Sequence, residues 1–336
     1  MKPIKEIISA EEYKFIFTNE HLKDQLVFLT YGGSHAYGTA TPTSDIDIRG
    51  CAFNRKSDLL GLSNFEQVVE EKTDTTIYSF KKLINLLLNV NPNCIELLGC
   101  KPEQYLMFSP IAQELIDNRK MFLSRRAVNS FVGYATQQLM RLQNAVARDA
   151  LTEAEKEKHI LGSINSAMMS FNDKYATFDE GAVKIYIGKS NKTDMDSEIL
   201  MDINLTGYPL RDYKAMWSEM NEVVKAYGKL NHRNRKKDER HLNKHAMHLI
   251  RLYLMAIDVF EKEEIITHRE NDLDLLNSIR NGKFMNDDGT YQCQFFELVS
   301  DYENRLAYAV KNSSLPTNPN FKQVEEFVIS VNERVL

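Results

Sequence analysis

The chain has 336 residues, of which 43% are hydrophobic and 26% charged, a composition that excludes a disordered protein and predicts a globular one. At this length, one extended or two compact domains are expected. The formal net charge of −5 excludes a protein that coats nucleic acid through bulk positive charge, although a local basic patch is compatible with it.

The first hundred residues alternate between strand-like and helix-like segments. The apolar run "QLVFLTY" (Gln25–Tyr31) is followed by two glycines, which predicts a buried strand that ends in a sharp turn. The stretch "DIDIRGCAF" alternates polar and apolar residues over Asp45–Ile48, the period of a strand with one buried face. The β-branched run "DTTIYS" predicts a third strand, and Ser79 at its end predicts the cap of a helix over "FKKLINLLLNV".

Apolar residues recur at helical spacing in the rest of the chain. The predicted helices are Ile111–Arg119, Ser124–Ala150, Glu153–Phe171, Tyr213–Leu230, Leu242–Glu261 and Phe321–Val331. We therefore predict an α+β protein with a sheet domain over residues 1–110 and a mostly helical domain over residues 111–336. Residues 172–211 are polar and predict an insertion in the helical part, in which "VKIYIG" is strand-like.

The acidic pair Asp45 and Asp47 is the first candidate site. Residues two apart on a strand leave the same face, while Ile46 and Ile48 would point into the core. Two adjacent carboxylates repel each other, and a divalent cation between them removes that conflict. Mg²⁺ prefers a few carboxylates together with water and phosphate oxygens, so the pair predicts a metal site that meets a nucleoside triphosphate.

The glycine-rich turn before the acidic pair predicts a phosphate site. Gly33 permits close approach of the backbone, and a short helix from Ser34 would direct free N–H groups at an anion. The Ser34 hydroxyl would donate to the same anion, as would that of Thr39.

The spacing of these features, Gly33-Ser34, ten residues, then Asp45-Ile46-Asp47, resembles the signature of the DNA-polymerase-β-like nucleotidyltransferase superfamily. With "NPNCIELLG" and "KHAMHLIRL" downstream, "GSHAYGTATPTSDIDIRG" more narrowly resembles the RNA-repair-pathway polymerase-β family of bacteria and bacteriophages. The resemblance implies a palm-like mixed sheet, metal ions at Asp45 and Asp47, and phosphates near Gly33 and Ser34.

Members of the superfamily usually carry a third carboxylate on a neighbouring strand. Asp74 is our first choice because it opens the next β-branched run, and Glu70 and Glu71 are the alternatives. A third acid would act as general base or as a ligand of a second metal ion. Arg49, two residues after Asp47, would either close the strand or contact a phosphate or a core carboxylate.

A basic segment, "KLNHRNRKKDERHLNKHAMHLIR", begins at Lys229. On its helical part, Lys244, His248 and Arg251 would bind the triphosphate or an RNA backbone. The alternative is a helix whose apolar face packs inward while its charges face water. A zinc site is disfavoured because consecutive histidines on one straight helix rarely surround a metal ion.

The predicted function is transfer of a nucleoside monophosphate from an NTP, with Mg²⁺ or Mn²⁺, to a hydroxyl acceptor, for which the resemblance implies an RNA end of tRNA type. The alternatives are a protein AMP-transferase of antitoxin type and a non-catalytic nucleotide- or RNA-binding protein. No apolar run approaches the roughly 20 residues of a membrane span, so we expect no membrane partner. The four cysteines show no C-x-x-C spacing and no signal peptide precedes them, which predicts a cytoplasmic protein, in the host cytoplasm if a phage encodes it.

Overall fold

A computed structural model describes the greater part of the chain. The described residues are 7–149, 183–189, 197–203, 205–218, 220–221, 224, 239–287 and 289–336. Three predicted segments lie wholly or partly outside them: the helix Glu153–Phe171, the basic run before residue 239 and half of the helix Tyr213–Leu230. Within the predicted helix Tyr213–Leu230, residues 213–218 are helical, as predicted.

A mixed five-stranded sheet forms the N-terminal part. Its strands are β1 (Leu26–Tyr31), β2 (Ile48–Ala52), β3 (Gln67–Glu70), β4 (Thr75–Ser79) and β5 (Tyr105–Phe108). Their order in the sheet is β3-β4-β2-β1-β5. β2 and β4 run parallel, with Ile48 opposite Thr75, whereas β1 pairs antiparallel with β2 and β5, and β3 pairs antiparallel with β4.

The interior strand β1 is buried at all six positions, which is why its sequence is a continuous apolar run instead of an alternating one. Beneath the sheet, Ile16, Leu22 and Ile48 belong to a core cluster of fully buried side chains. Ile46 is partly buried against this cluster, as the alternation around the acidic pair predicts.

Besides the helical residues 213–218 and short 3₁₀ turns, the described residues contain α-helices with the following bounds. They are α1 (Phe15–Thr18), α2 (Gly33–Tyr37), α3 (Lys56–Leu60), α4 (Phe80–Leu88), α5 (Pro92–Ile95), α6 (Pro110–Asp117), α7 (Ala127–Asp149), α8 (Glu239–Lys262), α9 (Leu273–Arg280), α10 (Cys293–Asn312) and α11 (Phe321–Val335). The Ser79 hydroxyl accepts the Lys82 N–H and so caps α4, as predicted. None of the described helices is long and apolar enough to cross a membrane.

The chain divides into two compact units. The first contains Met1–Leu142, Asn243–Met285 and Tyr291–Leu336, and the second contains Gln143–Leu242 and Asn286–Thr290. The second unit carries a hairpin of β6 (Val183–Lys189) and β7 (Ser197–Ile203), and the sequence predicted only the former. A mixed sheet with flanking helices, followed by a mostly helical C-terminal part, confirms the α+β class. The boundary at residue 110 stays a prediction.

One predicted strand begins later than expected. Asp45 and Asp47 lie in an extended segment ahead of β2, which starts at Ile48. The strand is shorter because its parallel neighbour β4 begins at Thr75, opposite Ile48, so the ladder starts there. Asp45 and Asp47 therefore lie just before the first residue of β2, at the end of the sheet where β2 and β4 begin.

Candidate active site

The turn after β1 lies directly against Asp47. The Gly32 N–H donates to the Asp47 carbonyl over 2.8 Å, which fixes the turn to the acidic segment. Gly33 has a φ of +52°, and a Cβ at this position would lie 1.8 Å from Asp47 Oδ2. Only glycine satisfies both the left-handed backbone and the close approach of the carboxylate.

Asp47 and Asp74 lie side by side because they precede the paired residues Ile48 and Thr75 of parallel strands. The Ile48 N–H donates to the Asp74 carbonyl over 3.3 Å, so the two segments are joined at this point. Burial, and then the hydrogen bond to and the charge of Asp74, raise the pKa of Asp47 to about 6. Asp47 therefore holds a proton more readily than an ordinary aspartate, and its protonated form would donate a hydrogen bond to Asp74.

Asp74 is the more exposed and more acidic member of this pair. Burial acts to raise its pKa, but the hydrogen bonds from Asp47 and Arg49 and the Arg49 charge together lower it. Its backbone is left-handed at φ +42°, an uncommon conformation for a residue other than glycine. Asp74 is thus an ionised carboxylate that faces solvent at the edge of the sheet.

Arg49 provides the positive charge next to the two acids. Its guanidinium donates to Asp74 Oδ1 over 2.9 Å, to the Ile48 carbonyl over 3.0 Å and to the Asp74 carbonyl. Of the roles that the sequence left open, contact with a carboxylate is the one present.

Asp45 is exposed and lies two residues further from the strand. Within the described part of the chain, no group of three or more His, Cys, Asp or Glu side chains is positioned to hold a metal ion. The structure therefore brings Asp47 and Asp74 together but does not gather Asp45 with them into a preformed set of three ligands. The alternatives Glu70 and Glu71 lie at the end of β3 and just after it, and Glu70 accepts the Lys72 N–H.

Ser34 and Thr39 differ in exposure. Ser34 is partly buried in the first turn of α2, next to Gly33. Thr39 is 1% exposed, and its hydroxyl finds no hydrogen-bond partner among the described residues. A buried side chain is a poor phosphate ligand unless the loop moves, so Ser34 is the better placed of the two predicted donors.

The three predicted basic residues of α8 occupy different environments. Lys244 is exposed, and it lies close enough to Asp47 for its positive charge to act to lower the pKa of that carboxyl. Burial, and then the Arg251 charge, lower the pKa of His248 to about 3, so this imidazole is neutral near pH 7. The His248 ring lies edge-on to the Tyr37 ring, with 6.1 Å between the centroids.

Arg251 lies in the core and is 2% exposed. Its guanidinium donates to Glu96 Oε2 over 2.8 Å and stacks 3.7 Å from the centroid of the Tyr37 ring. The Tyr37 hydroxyl donates to Glu96 Oε1 over 3.0 Å, which completes a buried network of three side chains. Because Arg251 is buried and bound to Glu96 in this network, we leave Arg251 out of the nucleotide site proposed below.

Sequence reasoning treated Glu96 as an ordinary helical residue. The signal that would have found its role is its position as a single acid within the apolar run "CIELLG", since a buried carboxylate requires a cation or a hydrogen-bond donor. Glu96 is 5% exposed, and its partners lie 59 and 155 residues away along the chain.

Comparison with known proteins shows what this part of the chain is similar to. Residues 4–161 match the model of the RNA repair pathway DNA polymerase beta family, which confirms the resemblance predicted from the sequence. The chain is also 27% identical over 126 residues to an "Uncharacterized 38.9 kDa protein in nrdC-mobD intergenic region" of Enterobacteria phage T4. That alignment covers 33% of this chain and 37% of the phage protein. No solved structure matches the chain.

Proposed function

We propose that the protein is a metal-dependent nucleotidyltransferase that transfers a nucleoside monophosphate from an NTP to a hydroxyl group, with an RNA end as the acceptor. The observation that carries this proposal is the Asp47–Asp74 pair, in which Asp47 lies against the Gly33 turn. The match of residues 4–161 to an RNA repair family supports the choice of RNA as acceptor.

The donor set fits a hard divalent cation. Asp47 and Asp74 supply carboxylate oxygens, the ligands that Mg²⁺ and Mn²⁺ prefer, and burial and then the neighbouring Asp74 raise the pKa of Asp47. Asp45, exposed two residues away, would join them as a ligand. A cation bound there would neutralise phosphate charge and favour loss of the proton from the attacking hydroxyl.

The remaining steps fall to side chains and backbone groups of the chain. The N–H groups at Gly33 and Ser34 and the Ser34 hydroxyl would donate to phosphate oxygens, and exposed Lys244 would attract the triphosphate toward the acids. Ionised Asp74 would accept the proton of the acceptor hydroxyl. The hydroxyl oxygen then bonds to the α-phosphorus, the bond from the α-phosphorus to the bridging oxygen breaks, and pyrophosphate leaves.

The test uses the full chain with MgCl₂ and each of four NTPs labelled at the α-phosphate, in the presence of tRNA and of total protein. Separate RNA and protein gels then show the acceptor. We expect label on RNA, and a roughly 100-fold loss of product in Asp47→Asn and Asp45→Asn. Asp301→Asn, which changes an exposed acid on α10, is the matched control and should retain full activity.

The other outcomes distinguish the alternatives. Label on protein alone would replace RNA with a protein hydroxyl as acceptor, and the enzyme would be an AMP-transferase. Absence of label on both gels, together with a rise in melting temperature on addition of NTP and Mg²⁺, would identify a non-catalytic nucleotide-binding protein.

A further inference from the structure

Asp45 and Asp47 lie at the end of an irregular loop. Between the end of α2 at Tyr37 and the start of β2 at Ile48, the chain forms no helix or strand. A loop outside the strand ladders depends for its position on single backbone bonds, such as that from the Gly32 N–H to the Asp47 carbonyl, and on side-chain contacts. This segment carries Asp45 and Asp47, so whatever holds the loop also sets where these two acids lie.

Arg280, the last residue of α9, holds this loop at two points. One guanidinium nitrogen donates to the Thr39 carbonyl, and the other donates to Ser44 Oγ over 3.2 Å. Ser44 Oγ in turn accepts the Thr41 N–H over 2.9 Å, which ties the middle of the loop to the same contact. Arg280 is only 9% exposed, although it lies more than 230 residues from the loop along the chain.

The chemistry of arginine suits this task. The guanidinium is planar and presents its donors in a fixed fork, so two bonds to one loop restrict its orientation as well as its distance. Ser44 directly precedes Asp45, and Thr39 lies one residue beyond the α2 cap at Gly38. The fork therefore spans the segment that separates the glycine turn from the first acid.

A neighbouring segment fixes the start of the same loop. The Arg269 N–H donates to the Tyr37 carbonyl over 3.1 Å. The His268 ring packs against Gly38, where a Cβ would lie 2.5 Å from His268 Cε1. With this end already held, the bonds from Arg280 determine the course of the remainder up to Asp45.

We propose that Arg280 is a positioning residue that sets the placement of Asp45 and Asp47 relative to the Gly33-Ser34 turn, and so sets metal affinity and turnover at this site. The inference rests on the proposed nucleotidyl transfer for its effect on turnover. Its effects on the loop and on metal binding can be measured without any activity.

The test compares Arg280→Met and Arg280→Lys with Arg125→Met in the full chain. Arg125 makes the same kind of contact, donating to the Ser313 and Leu315 carbonyls, and none of its recorded partners lies in the acidic loop. Amide hydrogen exchange is followed for peptides that cover residues 38–47, and binding of Mn²⁺ alone is followed by electron paramagnetic resonance. Steady-state transfer kinetics complete the set.

For Arg280→Met we expect exchange over residues 38–47 to rise roughly tenfold and Mn²⁺ affinity to fall roughly tenfold. We expect kcat to fall by roughly 100-fold while the KM for NTP changes little, because misplaced ligands impair chemistry more than capture of the triphosphate. Arg280→Lys keeps the charge but not the fork, so all three measurements should lie between those of the wild type and Arg280→Met. It replaces Arg280→Met in the test if that variant does not fold. Arg125→Met should leave all three measurements unchanged.

Unchanged exchange over the loop in Arg280→Met would overturn the inference, and so would increased exchange with unchanged Mn²⁺ affinity. If the wild-type chain transfers no nucleotide but the exchange and Mn²⁺ results are as expected, the proposed function fails while the positioning role of Arg280 stands.

Discussion

Residue 33 illustrates how one position serves both the backbone and the site. A side chain there would face a left-handed backbone at φ +52° and the Asp47 carboxylate at 1.8 Å. The left-handed backbone would strain the fold, whereas the clash would displace the Asp47 carboxylate. Ordinary packing cannot relieve the second, because Asp47 is itself held by the bond from the Gly32 N–H.

We expect Gly33→Ala to lower the free energy of unfolding by about 1–3 kcal/mol, measured by urea denaturation, because the left-handed backbone and the clash with Asp47 both add strain. Gly133→Ala is the matched control. It lies within α7, where a Cβ would meet no atom within 4 Å, and alanine there should stabilise the helix by about 0.5–1 kcal/mol. Equal effects at the two positions would contradict the described geometry of the turn.

The pH dependence of stability follows from the pKa of Asp47, which is raised to about 6 in the folded protein from 3.8. Between these values the folded state binds more protons than the unfolded state, so this group stabilises the fold fully below pH 3.8. That contribution is lost as the pH rises through about 6. The lowered pKa of Asp74 acts in the opposite sense, since its contribution is present at higher pH and is lost as the pH falls.

Asp47→Asn should therefore stabilise the protein relative to wild type above pH 6 in EDTA, by about 1 kcal/mol after allowance for solvent screening, because the amide still donates to Asp74 without the repulsion. Near pH 4 the difference should vanish. Urea denaturation at several pH values measures it, with Asp301→Asn as a control that shows no such trend. A difference that is constant with pH would show that Asp47 titrates normally.

At the scale of elements, the Glu96–Arg251–Tyr37 network joins α8 to α2 and to the segment after α5. Both ionic groups are nearly inaccessible, with side-chain exposures of 3% for Arg251 and 6% for Glu96. Loss of either partner leaves the other as a buried, uncompensated charge, which is costlier than the absence of the pair.

We expect Arg251→Met to destabilise the protein by about 3–5 kcal/mol. The double variant Glu96→Gln/Arg251→Met should be destabilised less than the sum of the two single variants, because it leaves no unpaired charge. Arg334→Met, which breaks an exposed pair with Glu114, should leave the urea midpoint unchanged and provides the comparison. Strict additivity of Glu96→Gln and Arg251→Met would show that the two side chains do not interact.

Periodicity predicted the elements that bury one whole face, such as β1, β4, α4, α8 and α11, because burial shapes their sequences directly. It missed β3 and β5, which are edge strands of four residues with partly exposed side chains, such as Val69 and Met107. Short edges carry little alternation, and their pairing depends on neighbours that are distant in the chain. The helices α9 and α10 were also missed.

The distinction between local sequence patterns and contacts with distant segments applies to the site as well. Gly33, Ser34, Asp45 and Asp47 belong to one local motif that the sequence singles out, and Asp74 is predicted because it opens the next β-branched run; their roles stay predictions. The partners of Arg280 and Glu96 were not recognisable, because they lie in segments far away along the chain. From the sequence alone Lys244 and Arg251 were equal candidates, whereas folding leaves Lys244 exposed and buries Arg251.

At the scale of the whole molecule, the first compact unit is built from discontinuous parts of the chain, Met1–Leu142 together with segments after residue 242. Within it, α8 contributes fully buried apolar side chains, including Leu249, Ile250 and Ile257. The family match ends at residue 161 and so omits these segments. The matched region therefore does not coincide with a folding unit.

We expect a fragment of residues 1–161 not to fold cooperatively. It would leave Glu96 without Arg251, a defect of about 3–5 kcal/mol, and would expose the apolar surface that α8 covers, against a total stability of about 5–15 kcal/mol for an ordinary domain. Circular dichroism during heating and dispersion of amide NMR signals measure this, with the full chain as reference. A fragment carrying Glu96→Gln should regain part of its order if the unpaired charge matters, but should remain short of the full chain because the apolar surface stays exposed. A sharp melting transition in the unmodified fragment would instead mean that the sheet and its flanking helices suffice, and that the contacts to Arg251 and Arg280 only refine a fold that forms without them.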